Sequence, residues 1–187
     1  MVTRPALFLD RDGTINVDCV YIADPDLISL IPGSARAIRR AQDAGYLIVV
    51  VTNQSGVGRG LIAPDAIPRI HERLEKLLRE EAGAAIDRYG ICVHAPAENC
   101  GCRKPRPRLV REAAEALGID LANSVFVGDK LTDVATGRRS GCGRSILVRT
   151  GKGSDEETKA GNAPDEERPD YVADDLAAAV DWVLAGR

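Results

Sequence analysis

Hydrophobic positions along the chain fall into two kinds of segment that alternate. Short, continuous apolar runs occupy residues 6–9, 46–51, 89–93, 124–127 and 145–148, with a shorter one near 171–172. Between them, apolar residues recur at the spacing of one helix face over 37–41, 67–78 and 109–117, from about 133, and over 176–183. Continuous β-branched runs are typical of parallel strands buried on both faces. The pattern therefore predicts an α/β fold with a parallel sheet and helices on both faces.

Capping residues indicate where several helices begin and end. Ser34 and Asp65 are expected to cap the first two helices, and Gly45 and Gly118 to end the first and third. The segment 151–169 is rich in Gly, Glu, Asp and Lys, which predicts a long surface loop.

Composition narrows the class of protein. The 187 residues are enough for one domain, so we expect a single domain over 1–187. The formal net charge is -3, with no long basic run, which argues against nucleic-acid binding. No apolar run approaches the length of a membrane span, and the first strand begins too early to leave room for a signal peptide. We therefore expect a cytoplasmic protein that acts as a monomer.

Polar residues follow each predicted strand, at the point where the strand ends. In parallel α/β sheets, ligands bind beyond the carboxyl ends of the strands, so these residues are expected to form one site. They are Asp10 and Asp12, then Thr52, Asn53, Gln54 and Ser55, then Arg103 and Lys104, and finally Asp129, Lys130 and Asp133. A set of carboxylates, a hydroxyl, an amide and cations suits phosphoryl transfer to or from a small molecule.

The carboxylates at the strand ends suggest a magnesium site. Asp10, Asp12 and Asp129 offer the hard oxygen ligands that Mg²⁺ prefers, and an aspartate can also attack phosphorus directly. The spacing alone does not rank Asp10 and Asp12. The plainer alternatives are a solvated strand end for the first pair, a helix cap for Asp129, and an ordinary turn for the segment that begins at Thr52.

A second metal site is predicted by four soft or borderline ligands close together in sequence. Cys92, His94, Cys100 and Cys102 match a closed tetrahedral zinc site with a structural role. Such a site would fix the loop that carries Arg103 and Lys104. The alternative is a set of buried free thiols in a reducing compartment.

Three further residues have less definite interpretations. Arg59 lies in a glycine-rich stretch, residues 56–60, which either forms a simple turn or lies over the substrate with Arg59 reaching a second anionic group. His71 lies on the second long helix without a partner in sequence, so it is interpreted as a surface or packing residue. Cys19 is interpreted as an ordinary thiol.

Taken together, these segments resemble the haloacid dehalogenase-like phosphatases. The residues that carry the resemblance are Asp10, Arg11, Asp12, Gly13 and Thr14, then Thr52 and Asn53, Lys104, and Gly128, Asp129 and Asp133. Within that superfamily the chain is similar to the zinc-containing D-glycero-D-manno-heptose-1,7-bisphosphate 7-phosphatases and to the related histidinol-phosphate phosphatases. The resemblance covers about residues 7–151, which is most of the chain.

The resemblance implies more than the residues alone establish. It implies a Rossmann-like core with a minimal or absent cap. It implies Asp10 as nucleophile and Asp12 as general acid and then base. It also implies Mg²⁺ held by the Asp10 side chain, the Asp12 carbonyl and Asp129, with Thr52 and Lys104 stabilising the transferring phosphoryl group. The residues that line the substrate site would be Asp18, Cys19, Val20, Tyr21, Thr52, Asn53, Gln54, Ser55, Arg103, Lys104 and Lys130.

Two enzymatic hypotheses and one non-enzymatic hypothesis remain open at this point. Residues 52–60 look like the heptose branch, where the enzyme serves nucleotide-activated heptose biosynthesis, whereas the short spacer between His94 and Cys100 looks like the histidinol branch. Arg59, Arg103 and Lys130 favour a sugar bisphosphate, since a cationic rim disfavours the amine of histidinol phosphate. The third hypothesis is a zinc-binding interaction module with a vestigial site.

Overall fold

A computed structural model, which describes residues 3–186, contains one six-stranded parallel sheet in the order β3-β2-β1-β4-β5-β6. The strands are β1 (Ala6–Leu9), β2 (Leu47–Asn53), β3 (Arg88–Cys92), β4 (Val125–Gly128), β5 (Arg144–Val148) and β6 (Tyr171–Ala173). The helices are α1 (Ser34–Asp43), α2 (Ser55–Gly58), α3 (Ala66–Ala82), α4 (Arg108–Leu117), α5 (Leu131–Ser140), α6 (Gly153–Ala160) and α7 (Leu176–Leu184). The predicted α/β fold class is confirmed.

Alternate residues of each central strand face opposite sides of the sheet, and both sides are buried. Leu7 and Leu9 of β1 pack with residues of α1, α3 and α7, whereas Phe8 packs with residues of α4 on the other face. The continuous apolar runs arise from this arrangement, because a strand that is covered on both faces needs apolar side chains at every position. In residues 3–186, every helix of eight or more residues lies along this one sheet, and no separate cap domain covers its carboxyl edge.

Neither of the first two long helices has the predicted side-chain cap hydrogen bond at its N-terminus. Ser34 lies inside α1 and donates a hydrogen bond to the carbonyl of Ile15, while Gly33 occupies the cap position with a φ of 86°. Asp65 does hold the cap position of α3, but its side chain accepts no hydrogen bond from the helix and pairs with Arg69 instead. The Ser34 hydroxyl thus donates to a buried carbonyl that is distant in sequence and does not cap α1.

The predicted surface loop over 151–169 is also wrong, because the structure places α6 and a short 3-10 turn (Asp165–Glu167) there. Acidic residues in the first turn of α6 favour the helix through its dipole. Glu157 pairs with Arg149 at 2.7 Å, and Glu156 accepts a hydrogen bond from the backbone N–H of Leu131 at the start of α5. The polar composition thus reflects an anchored surface helix. No helix within residues 3–186 has the length and apolarity to cross a bilayer.

Candidate active site

The carboxyl ends of the two central strands, β1 and β4, bring together acids that are far apart in sequence. Asp10 follows β1, and its N–H donates to the carbonyl of Val127 in β4 at 3.0 Å. One carboxylate oxygen from each of Asp10, Asp129 and Asp133 lies within 4.8 Å of the others, and all three residues are buried. The predicted meeting of Asp10 with Asp129 is present, and Asp133, on the first turn of α5, joins them.

Lys104 supplies the main positive charge within this acidic cluster. Its Nζ lies 2.9 Å from Asp10 Oδ1, 2.7 Å from Asp133 Oδ1 and 2.7 Å from the carbonyl of Val51, to which it donates a hydrogen bond. Only 5% of Lys104 is exposed. Lys130 approaches from the other side, with its Nζ 3.2 Å from Asp129 Oδ1 and 3.7 Å from Asp10 Oδ2.

Burial and mutual repulsion set the protonation of these acids. Burial raises the pKa of Asp129 to about 7, and the neighbouring carboxylates of Asp10 and Asp133 add to this effect. Burial also acts to raise the pKa of Asp10, but Lys104 and Lys130 outweigh it and hold that pKa below its usual value. Asp10 is therefore kept ionised, the state in which a carboxylate can act as a nucleophile.

Asp129 has the environment of a cation ligand. Its Oδ2 accepts a hydrogen bond from the N–H of Lys152 at 2.9 Å, whereas its buried Oδ1 lies 3.2 Å from the ammonium group of Lys130. Gly13 and Gly151 come so close that a Cβ on either would lie 2.3 Å from Asp129 Oδ2, and both have positive φ angles. A buried carboxylate beside two further acids fits the oxygen set that Mg²⁺ prefers.

Asp12 differs from the other acids, because its carboxylate faces N–H donors and lies outside the acidic cluster. Oδ1 accepts from Arg11 Nε at 3.1 Å and Asn16 Nδ2 at 2.9 Å. Oδ2 accepts from Arg11 Nη2 at 2.9 Å and Gln54 Nε2 at 2.8 Å. The Asp12 side chain is 17% exposed, so it remains accessible to a substrate.

Two adjoining cavities contain most of the residues that the sequence predicted. The first, of about 330 Å³, is lined by Asp10, Asp12, Thr52, Asn53, Arg103, Lys104, Lys130, Thr132 and Asp133. The second, of about 220 Å³, is lined by Asp12, Asp18, Cys19, Val20, Tyr21, Ile22, Asn53, Gln54, Ser55, Gly56 and Lys130. Arg59 lines neither cavity and instead donates a hydrogen bond to Tyr21 Oη at 2.7 Å. The roles assigned to these residues stay predictions.

A larger cavity of about 580 Å³ lies at the opposite edge of the sheet, among residues such as Pro5, Ser124 and Gly143 that precede strands. Its lining includes one carboxylate, Asp120, and lacks the convergence of acids and lysines seen at the carboxyl edge. The chemistry therefore favours the smaller cavities.

The Cys/His cluster has the dimensions of a tetrahedral metal site. The Sγ atoms of Cys92 and Cys100 are 3.5 Å apart, those of Cys100 and Cys102 are 3.6 Å apart, and His94 Nδ1 lies 3.3 Å from Cys102 Sγ. Ligand atoms placed tetrahedrally at zinc distances lie about 3.6–3.8 Å from one another. The cluster directly precedes Arg103 and Lys104, which line the first cavity.

Sequence reasoning left two functional features unassigned. Asp133 was noted among the strand-end residues without a role, yet it contacts Lys104 and accepts a hydrogen bond from the N–H of Lys130 at 3.1 Å. The contact between Arg11 and His71, whose Nη1 and Nε2 are 3.2 Å apart, was not foreseen, because 60 residues separate the partners. The one indication of this contact in the sequence is that a charged residue, Arg11, follows closely on the apolar strand 6–9.

Comparisons with known proteins agree with this geometry. The sequence profile of the family described as HAD-hydrolase-like matches residues 101–179. The fold, the strand-end acids and the buried lysine thus define a haloacid dehalogenase-like hydrolase.

Closer relatives narrow the family. A D-glycero-D-manno-heptose-1,7-bisphosphate 7-phosphatase from Thermosynechococcus vestitus is 40% identical over 190 residues, covering 96% of this chain and 95% of the relative. The crystal structure of D,D-heptose 1,7-bisphosphate phosphatase from B. bronchiseptica, complexed with magnesium and phosphate, has a TM-score of 0.87 at 35% identity and covers 98% of this chain and 99% of that one. The chain belongs to the family of D-glycero-D-manno-heptose-1,7-bisphosphate 7-phosphatases, as the sequence motifs predicted.

Proposed function

We propose that this chain is a magnesium-dependent phosphatase that removes the 7-phosphate of D-glycero-D-manno-heptose 1,7-bisphosphate, in nucleotide-activated heptose biosynthesis. The observation that carries the proposal is the position of Asp10, an ionised carboxylate held by Lys104 at the cavity that Asp12 also lines. The family of the chain supports the choice of substrate.

The proposed cycle has two halves. In the first, a carboxylate oxygen of Asp10 forms a bond to phosphorus while the bond from phosphorus to the C7 oxygen breaks, and Asp12, which enters this half in its protonated form, gives that oxygen its proton. In the second, Asp12 takes a proton from water, the water oxygen bonds to phosphorus, and the bond from phosphorus to Asp10 breaks. Phosphate and heptose 1-phosphate leave.

Magnesium would be held by the side chains of Asp10 and Asp129 and by the backbone carbonyl of Asp12. Asp133 lies within reach of the same oxygens. When bound, the ion supplies positive charge that neutralises the phosphate oxygens and offsets the repulsion among the acids. Lys104 and the Thr52 hydroxyl face the same cavity and would stabilise the equatorial phosphate oxygens.

The rest of the substrate would extend into the second cavity. Asp18, Cys19, Val20, Tyr21, Asn53, Gln54 and Ser55 line it and would contact the sugar. Arg103 and Lys130 line the first cavity, and Arg59 lies beside Tyr21, so cations surround the path of a second phosphate. This charge distribution favours a bisphosphate over a substrate with an amine.

Substrate preference tests the proposal directly. We expect kcat/KM for the heptose 1,7-bisphosphate to exceed that for histidinol phosphate by at least about 100-fold, because Arg103 and Lys130 attract a second phosphate and repel an amine. Heptose 7-phosphate serves as the control, since it keeps the leaving group and lacks the second phosphate. Equal kcat/KM for the heptose bisphosphate and histidinol phosphate would contradict the heptose assignment. If none of the three compounds released phosphate, the non-enzymatic hypothesis would be favoured instead.

The Cys/His cluster is proposed to hold one structural zinc ion that fixes the loop before Lys104. We expect metal analysis to find one zinc per chain, and Cys102→Ser to lower the zinc content, the thermal midpoint and the phosphatase activity together, because a tetrahedral site with one weak ligand binds zinc poorly. Cys142→Ala is the matched control, because Cys142 is a buried cysteine outside the cluster. This variant should keep the zinc content of the parent. Full activity in a zinc-free protein would contradict the proposed role.

A further inference from the structure

Behind the active site lies an arginine that the proposed cycle does not use. Arg11 sits between Asp10 and Asp12 in sequence, and its side chain is fully buried at 0% exposure. Its guanidinium holds both oxygens of Asp12 in a bidentate pair, through Nε at 3.1 Å and Nη2 at 2.9 Å. A planar, bidentate contact fixes a carboxylate in direction as well as in distance.

The remaining edge of the guanidinium is held by His71 on α3. Arg11 Nη1 lies 3.2 Å from His71 Nε2. Arginine has donors only, so Nε2 must accept the hydrogen bond, which requires a neutral imidazole with its proton on Nδ1. Burial and the positive charge of Arg11 lower the pKa of His71 to about 4, in agreement with a neutral ring at neutral pH.

The imidazole is itself fixed on its other side. Its ring stacks on Tyr89 of β3 with centroids 4.1 Å apart and planes 9° apart, and His71 is buried with 7% exposure. The contacts therefore run without a gap from the sheet, through Tyr89 and His71, to Arg11 and Asp12. The other two donors to Asp12 are the neutral amides of Asn16 and Gln54.

We propose that His71 is a positioning residue for the reaction: by accepting from Arg11 it holds the guanidinium, and thereby the Asp12 carboxylate, where proton transfer to the leaving oxygen takes place. This inference rests on the proposed function, since it assumes that Asp12 is the acid. It replaces the sequence interpretation of His71 as a surface or packing residue. A histidine that serves packing alone would make no difference to which leaving groups the enzyme can expel.

The dependence of rate on the leaving group separates positioning from packing. The heptose 7-phosphate bond releases an alkoxide and needs a proton from Asp12, whereas p-nitrophenyl phosphate releases a much weaker base and needs little help. For His71→Leu, which removes the acceptor, we expect kcat/KM on the heptose bisphosphate to fall roughly 10- to 100-fold through kcat, with KM nearly unchanged. On p-nitrophenyl phosphate we expect a loss below about threefold.

Two further variants at position 71 make the test independent of folding. His71→Gln should restore the rate on the heptose bisphosphate to within about fivefold, since the glutamine Oε1 stands the same number of bonds from Cα as histidine Nε2 and can accept from Arg11. His71→Phe keeps a ring against Tyr89 but has no acceptor, and should behave like His71→Leu. If His71→Leu does not fold, His71→Phe decides the outcome.

Two controls identify which idea fails if the result differs. Leu74→Val alters the same buried face of α3 and leaves the His71 acceptor in place, so both substrates should keep the same rate ratio as the parent. Asp12→Asn should show the leaving-group dependence at full strength. If Asp12→Asn affects both substrates equally, the acid role of Asp12 is wrong. If it discriminates between them while His71→Leu and His71→Phe do not, the role of His71 alone is overturned.

Discussion

Replacing Asp10 by asparagine is expected to abolish turnover while leaving the fold intact. Phosphate release from the heptose bisphosphate should fall by at least about 10⁴-fold, because a neutral amide oxygen cannot form the acyl phosphate bond that the proposed cycle requires. The change removes no volume, and the amide oxygen can still accept from the Arg11 N–H, now at 2.8 Å from Asp10 Oδ1.

Stability should fall much less than activity in this variant. Without a metal, three buried carboxylates face the two ammonium groups of Lys104 and Lys130, and burial and repulsion already raise the pKa of Asp129 to about 7. Asp10→Asn leaves two carboxylates against two ammonium groups. The thermal midpoint of the metal-free protein is therefore expected to fall only slightly, because the lost attraction of Asp10 to Lys104 and Lys130 is partly offset by weaker repulsion on Asp129 and Asp133.

Rapid-quench experiments with labelled substrate provide the decisive measurement for Asp10. The parent should show protein-bound, alkali-labile phosphate during turnover, and Asp10→Asn should show none. Asp43→Asn is a suitable control, because Asp43 is an exposed acid paired with Arg39 on the surface of α1. A rate near that of the parent in Asp10→Asn would reject Asp10 as nucleophile.

Lys104→Met is expected to have the second largest effect, and to reduce both activity and stability. The side chain keeps its length but loses the charge that lies 2.9 Å from Asp10 Oδ1 and 2.7 Å from Asp133 Oδ1. Loss of one preorganised donor to the transferring phosphoryl group should lower kcat about 10²- to 10³-fold.

The effect on stability follows from the same charges. Three buried carboxylates would then face a single ammonium group, that of Lys130, and removal of one partner from a buried ion pair costs about 3–5 kcal/mol. Magnesium should recover more of the unfolding free energy in Lys104→Met than in the parent, because the ion replaces the missing charge.

Denaturant unfolding and steady-state kinetics on a second variant separate the two effects. Lys104→Met combined with Asp133→Asn should regain stability, since one carboxylate loses its charge, without regaining kcat. Lys76→Met is the control for loss of a lysine, because Lys76 is exposed and makes only a 3.8 Å surface pair with Glu80. Recovery of kcat in the double variant would show that Lys104 serves stability alone.

Particular elements show how far the sequence predicted this fold. The strand prediction for residues 6–9 matches β1 residue for residue, and Gly118, with a φ of 64°, ends α4 where it was expected to. Strands buried on both faces and helices ended by glycine leave local signals, because the requirement falls on consecutive residues. The errors at Ser34 and over 151–169 arose where partners distant in sequence, Ile15 and Leu131, contact these segments.

The candidate site divides in the same way. Strand-end placement identified Asp10, Asp129 and Lys104 as members of one site, since parallel strands deliver their carboxyl ends to a common edge. The roles of Asp10 as nucleophile and of Asp12 as acid and base rest on the family resemblance and stay predictions. The cytoplasmic location and the monomeric state also stay predictions.

The chain alone therefore establishes the strands, most of the long helices and the chemical groups at the strand ends, because these features depend on residues close together in sequence. Only the folded molecule decides the contacts across it: those of Asp133 with Lys104, of Asp129 with the N–H of Lys152, and of His71 with Arg11. Such contacts depend on side-chain directions and on packing between α3, α5 and the sheet. These are set by the whole core, and no short stretch of sequence records them.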